Sequence, residues 1–191
     1  MQEIQNQVLL ESKRLIKAFN PLRFLFYFGI TVTFALLAFH FAELLDTVTL
    51  IIIIILATLY ALIRDLIISR FSNKLMDQFY NHLAVKEPDM DLYIPVLEKN
   101  FQGYFLKKTA IYFIGNEMFM EAFNQPKSKK ERQQSLQIKY GKDFSITLMY
   151  QDKAKKTQLC QGTLMGTPYR FAILNNDLIV KKISRRIKGE K

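Results

Sequence analysis

The sequence predicts a membrane-anchored α+β protein, on three observations. Residues 24–68 are almost wholly apolar. The last ~85 residues break into short β-rich runs separated by turn-forming residues. The lysines and arginines, which give a net charge of +10, cluster outside the apolar block. The expected architecture is an N-terminal amphipathic helix, a two-helix transmembrane hairpin, and a cytosolic α+β domain. That domain holds a small antiparallel sheet or barrel of about seven strands.

Residues 1–20 form the first expected element. Ile4, Val8, Leu15 and Phe19 recur near helical spacing, with Leu9 and Ile16 beside them, and Asn20-Pro21 ends the pattern. Such a helix has two possible seats, a membrane surface or the face of the following domain.

Residues 21–69 are expected to be the hairpin, with spans at about 24–43 and 47–64. The first apolar run, 24–42, has 19 residues without a formal charge, and the run 47–63 adds 17. A bilayer core of ~30 Å takes roughly 17–25 helical residues, whereas strands seldom exceed about 10. Arg64 then marks an interface, reached by a long cationic side chain, as do Arg23 and Arg70. Arg64 and Asp65 point about 100° apart on a helix, which argues against a buried ion relay. Basic residues flank the block on both sides, and residues 43–46 between the runs carry none, so both termini are expected in the cytoplasm. The first 20 residues lack a signal-peptide h-region, so the apolar runs are expected to stay in the chain. Thr31, Ala35, Ala38 and Ala42, with Ala57 and Ala61, form a candidate helix-packing seam of small residues.

Residues 70–105 are expected to be a helical connector. Phe71, Leu75, Phe79 and Leu83 continue a helical stripe, "KEPDMD" breaks it, and 92–105 reads as another short helix entered through Pro95. Asp89 and Asp91 lack the Gly and closing Glu of a calcium loop, so they are expected in solvent. Residues 106–184 form the expected β domain. It opens with a hairpin turning at Gly115-Asn116 and continues through "SLQIKY", "FSITLMY", "TQLCQGTL", "YRFAIL" and "LIVKKI". Its strand number is similar to that of the pleckstrin-homology-like barrels, although the helix that caps that fold is absent here or reduced to "SRRIKGE". The likeness is architectural and carries no function. Residues 185–191 complete the chain as a basic tail.

No catalytic constellation, metal site or cofactor motif is expected. The chain has one cysteine, Cys160, and two histidines, His40 and His82, far apart in sequence. "GTLMG" lacks the Lys and helix entry of a phosphate loop and reads as a turn or bulge. The basic clusters remain as candidate contacts for anionic lipid or an acidic partner: Lys127, Lys129, Lys130 and Arg132 in one loop, then Lys181, Lys182, Arg185, Arg186 and Lys188 near the C-terminus. No aromatic-basic motif points to nucleic acid. The function expected from the whole is that of a non-enzymatic integral membrane protein, in a bacterial inner membrane, whose β domain binds a partner as an accessory subunit or homo-oligomer. The alternative is a ligand-gated effector or sensor whose spans oligomerise to perturb the bilayer. Anionic inner-leaflet lipid and a protein partner or second copy are the expected partners.

Overall fold

The computed structural model describes residues 2–17, 21–42, 47–100, 103–124 and 134–189. Four helices and seven strands are found among them: α1 (Gln2–Lys17), α2 (Pro21–Ala42), α3 (Thr47–Lys86), β1 (Leu92–Asn100), β2 (Gly103–Ile114), β3 (Glu117–Asn124), β4 (Gln134–Lys139), β5 (Phe144–Gln151), β6 (Thr157–Leu164), β7 (Thr167–Leu174) and α4 (Asp177–Ile187). The chain divides into two compact units, one of residues 18–71 and one of residues 1–17 with 72–191, so α3 contributes to both.

In the larger unit the strands form one antiparallel sheet in the order β4-β3-β2-β1-β7-β6-β5. The sheet curls: Ile138 of β4 and Phe144 of β5, at its opposite edges, belong to one buried cluster. A parallel bridge between Tyr140 and Phe144 ties the two edges. Period-2 alternation along the central strands splits the core. Leu92, Ile94, Val96, Ile111, Phe113, Met118 and Met120 face inward with Ile179 and Ile183 of α4. Tyr93, Ala110, Tyr112 and Phe123 face outward, where Met76, Phe79 and Leu83 of α3 cover them. Phe79 and Phe123 stack with ring centroids 4.1 Å apart.

Helix α1 packs on this sheet, which decides between its two possible seats. Its Val8 enters the inner cluster and its Leu9 the outer one. The buried face also takes in the polar Gln5 and Ser12. Gln5 has a definite task. Strand β1 pairs with β2 along its whole length but meets β7 at one position, Leu97 opposite Ala172. The outer edge of early β1 is therefore open, and the Gln5 amide closes it. Its Nε2 donates to the Tyr93 carbonyl at 3.1 Å, and its Oε1 accepts from the Tyr93 N–H at 2.7 Å.

Two local expectations are corrected. Residues 92–100 are strand β1, not part of a helix. Pro95 reads as a helix entrance, but it stands beside a β-bulge between Pro95 and Leu97, a place where a strand hosts proline. "LIVKKI" is helix α4, not a seventh strand, so the terminal helix is larger than "SRRIKGE" suggested. Its β-branched composition is overridden by helical spacing: Asn176 caps the first turn by accepting from the Leu178 N–H at 3.1 Å, and Ile179 and Ile183 fall on one buried face. The hairpin over β2 and β3 does turn at Gly115-Asn116, with Ile114 opposite Glu117 and Gly115 at φ +56. Gly162 of "GTLMG" stands at the β5–β6 bulge, where a Cβ would lie 1.8 Å from the Ser145 carbonyl oxygen.

The transmembrane hairpin is also corrected. Among the described residues, no helix is long and apolar enough to cross a membrane. With it fall the fold class built on that hairpin, the integral-membrane function in both its accessory-subunit and effector forms, and the inner-membrane location. In α3 the isoleucine run is one part of a 40-residue helix whose later turns carry Arg70, Lys74 and Asp77 and pack on the sheet. Within the smaller unit, Phe34, Leu36, Ile55, Leu56 and Tyr60 are exposed. Of the proposed seam, Ala35 is buried, Thr31 and Ala57 are half-buried and Ala38 is exposed, while the side chains of Ala42 and Ala61 lie outside the described set. Arg70 is exposed, and the side chains of Arg23 and Arg64 lie outside that set as well.

Candidate anion-binding cleft

Helix α4 is amphipathic, and its two faces do different work. Ile179 and Ile183 fix it to the sheet, which turns Lys181, Lys182, Arg185 and Arg186 toward a cleft of about 370 Å³. The floor is apolar, made by Leu92 at the start of β1 and Phe113 near the end of β2, with Ile4 of α1 and Leu178 of α4 as walls. Asn116 of the β2–β3 turn and Asp91 complete the rim. Four cations thus meet one carboxylate among the described lining residues.

That carboxylate is only partly engaged. Lys182 Nζ lies 3.5 Å from Asp91 Oδ2, an ion pair longer than a good charge-assisted hydrogen bond. The same ammonium stands 4.8 Å from the Phe113 ring centroid, in cation–π range. The Arg186 guanidinium sits 5.8 Å from the Tyr140 ring, and its buried Nε has no hydrogen-bond partner among the described residues. Lys181 and Arg185 are exposed. Arg185 and Arg186 also occupy the last turn of α4, where cations complement the helix dipole, so part of their placement is structural.

The sequence pointed to Lys181, Lys182, Arg185 and Arg186 as a basic cluster, and the structure gathers these four at the cleft. Lys188 is exposed at the α4 C-cap. Lys127, Lys129, Lys130 and Arg132 lie outside the described residues. Asp91, placed in solvent by the sequence reading, lines the cleft, and neither it nor Phe113 carried a signal of that role. Their adjacency to α4 depends on Ile179 and Ile183 packing into the same cluster as Leu92 and Phe113.

The other reactive groups of the larger unit are held in structural arrangements. Burial pushes the Cys160 thiol up to about 12, which removes its nucleophilic form at neutral pH. No cluster of metal-binding side chains exists among the described residues. Asp152, with a fully buried carboxylate, joins the β5–β6 loop to the other strands. Its Oδ2 accepts from Lys99 Nζ at 2.7 Å and from the Tyr104 hydroxyl, and its Oδ1 from the Lys156 N–H at 3.3 Å. Burial pushes its pKa up, but the Lys99 and Tyr104 hydrogen bonds outweigh this and bring it down to about 2. A second buried carboxylate, Glu121, pairs through Oε1 with Lys86, and its buried Oε2 has no hydrogen-bond partner among the described residues. No family model, curated protein or solved structure matches this chain.

Proposed function

We propose that the chain is a binding module, not an enzyme, and that the α4 cleft receives an anionic group of its partner. The observation that carries this reading is the charge imbalance of the cleft: Lys181, Lys182, Arg185 and Arg186 stand around an apolar floor with Asp91 as the opposing charge. Its volume falls at the low end of the ~300–1,000 Å³ usual for ligand sites. Cationic side chains that converge on a partly enclosed site attract a carboxylate or phosphate more strongly than the same charges spread over open surface. The buried thiol and the satisfied Asp152 cluster support the non-catalytic half of the proposal.

The test is NMR titration of the full chain with inorganic phosphate and with a short oligo-glutamate. Saturable shifts confined to α4, Asp91 and the β2–β3 turn are expected, weakening as salt rises. The Lys181→Gln/Arg185→Gln double variant is expected to lose most of the response. Saturation elsewhere on the molecule, or an unchanged response in the double variant, overturns the assignment.

A further inference from the structure

The cleft is not uniformly polar, and its composition narrows the chemistry of its occupant. Its cations lie along one side, on α4. Its apolar walls come from two separate helices, Ile4 of α1 and Leu178 of α4, and Leu178 is half exposed to solvent. A simple anion such as phosphate would use the cations and leave those walls wet. An apolar molecule would use the walls and leave four cations uncompensated. A ligand that is anionic at one end and apolar at the other uses both, and each buried methylene contributes about 0.8 kcal/mol.

Lys182 adds a second element. Its ammonium is shared between Asp91 at 3.5 Å and the Phe113 ring at 4.8 Å, and both members of the ion pair are partly exposed. Asp91 is thus positioned as an internal competitor, holding the cation that an incoming anion would use. Its backbone N–H bonds the Phe113 carbonyl at 2.8 Å, so the residue keeps its place whatever its side chain does.

We propose that the occupant is a small anionic amphiphile, a phosphate or carboxylate head on a short apolar body, with its head on the α4 cations and its body between Ile4 and Leu178 over Phe113. Asp91 sets the affinity by competing for Lys182. This inference rests on the anion-binding reading of the same cleft and specifies its ligand.

The experiment is calorimetric titration of the full chain with three probes: inorganic phosphate, octyl phosphate kept below its aggregation concentration, and vesicles of phosphatidylglycerol compared with phosphatidylcholine. Octyl phosphate is expected to bind at least about tenfold tighter than phosphate. Leu178→Ser should lower octyl phosphate affinity several-fold and phosphate affinity by a clearly smaller factor. Asp91→Asn should tighten both, which a residue that merely supports the fold would not do. Equal affinity for the two soluble probes overturns the amphiphile and leaves the anion site standing. Absence of saturable binding by either overturns both. Binding to anionic vesicles without binding to octyl phosphate replaces the cleft with a surface contact, and weaker binding by Asp91→Asn removes the competitor.

Discussion

Asp152 and Glu121 are both carboxylates with no exposed side-chain surface, each paired with a lysine that reaches solvent, yet their charges are met in different ways. Asp152 collects a lysine, a tyrosine hydroxyl and a backbone N–H, so both of its oxygens are satisfied. Glu121 depends on Lys86 at one oxygen and, among the described residues, has no hydrogen-bond partner at the other. Burial, then the negative charge of Glu121 and Glu87 and the approach of the hydroxyl to the Glu121 carboxylate, push the Tyr112 hydroxyl pKa upward against the Gln137 hydrogen bond, so Tyr112 is a weak second neighbour of that acid. A buried charge with several partners tolerates the loss of one of them. A buried charge that rests mainly on one ion pair does not.

The sharpest way to break this comparison is to remove the two lysines in turn. Lys86→Met strands the Glu121 carboxylate and is expected to cost about 3–5 kcal/mol in urea unfolding of the full chain. A loss below 1 kcal/mol would show that Glu121 has other support. The next effect is pH-dependent. Asp152 titrates at about 2 when folded against 3.8 in its ordinary state. A depressed folded pKa contributes stability above the unfolded value, and that contribution is lost as pH falls from about 4 through about 2. It amounts to about 2 kcal/mol. Unfolding curves from pH 5 to pH 2 should show it in the wild type and lack it in Asp152→Asn.

Lys99→Met is expected to cost only about 1 kcal/mol, because Tyr104 and the Lys156 N–H still serve Asp152 and Lys99 is partly in water. If Lys99→Met and Lys86→Met cost the same, the number of partners is not what separates the two acids. Glu121→Gln should have the smallest effect, under about 1 kcal/mol, since it removes a desolvated charge while retaining an acceptor for Lys86. A loss as large as that of Lys86→Met would mean that the charge itself stabilises the fold.

Much of the β unit was legible because its signals are local. The Gly115-Asn116 turn and the runs that became β4, β5, β6 and β7 follow from alternation and turn-forming residues read over a few positions. Two segments misled for opposite reasons. Pro95 looked like a helix entrance but marks a bulge, and whether a strand can host a proline depends on which ladder position it occupies. Leu178, Ile179, Val180 and Ile183 looked like a strand, but Asn176 and the spacing of Ile179 and Ile183 made a helix. The long apolar runs argued for spans on composition and length, which are weak evidence when one run continues into a 40-residue helix that packs on a sheet.

The sequence by itself determined the amphipathic character of α1, the short β-rich runs with their turns and the cationic run near the C-terminus, since each depends on residue types a few positions apart. Tertiary structure alone decided what those features meet. Gln5 and Tyr93 are 88 residues apart along the chain, and nothing local indicates that a glutamine on a helix will complete the edge of β1. Asp91 and Phe113 meet through the pairing of β1 with β2, and Lys182 joins them because α4 seats its isoleucines against the sheet. Pattern repeats over a few residues and is read locally. Contact between distant segments is set by which apolar faces must be buried together, and that is resolved only when the whole chain packs.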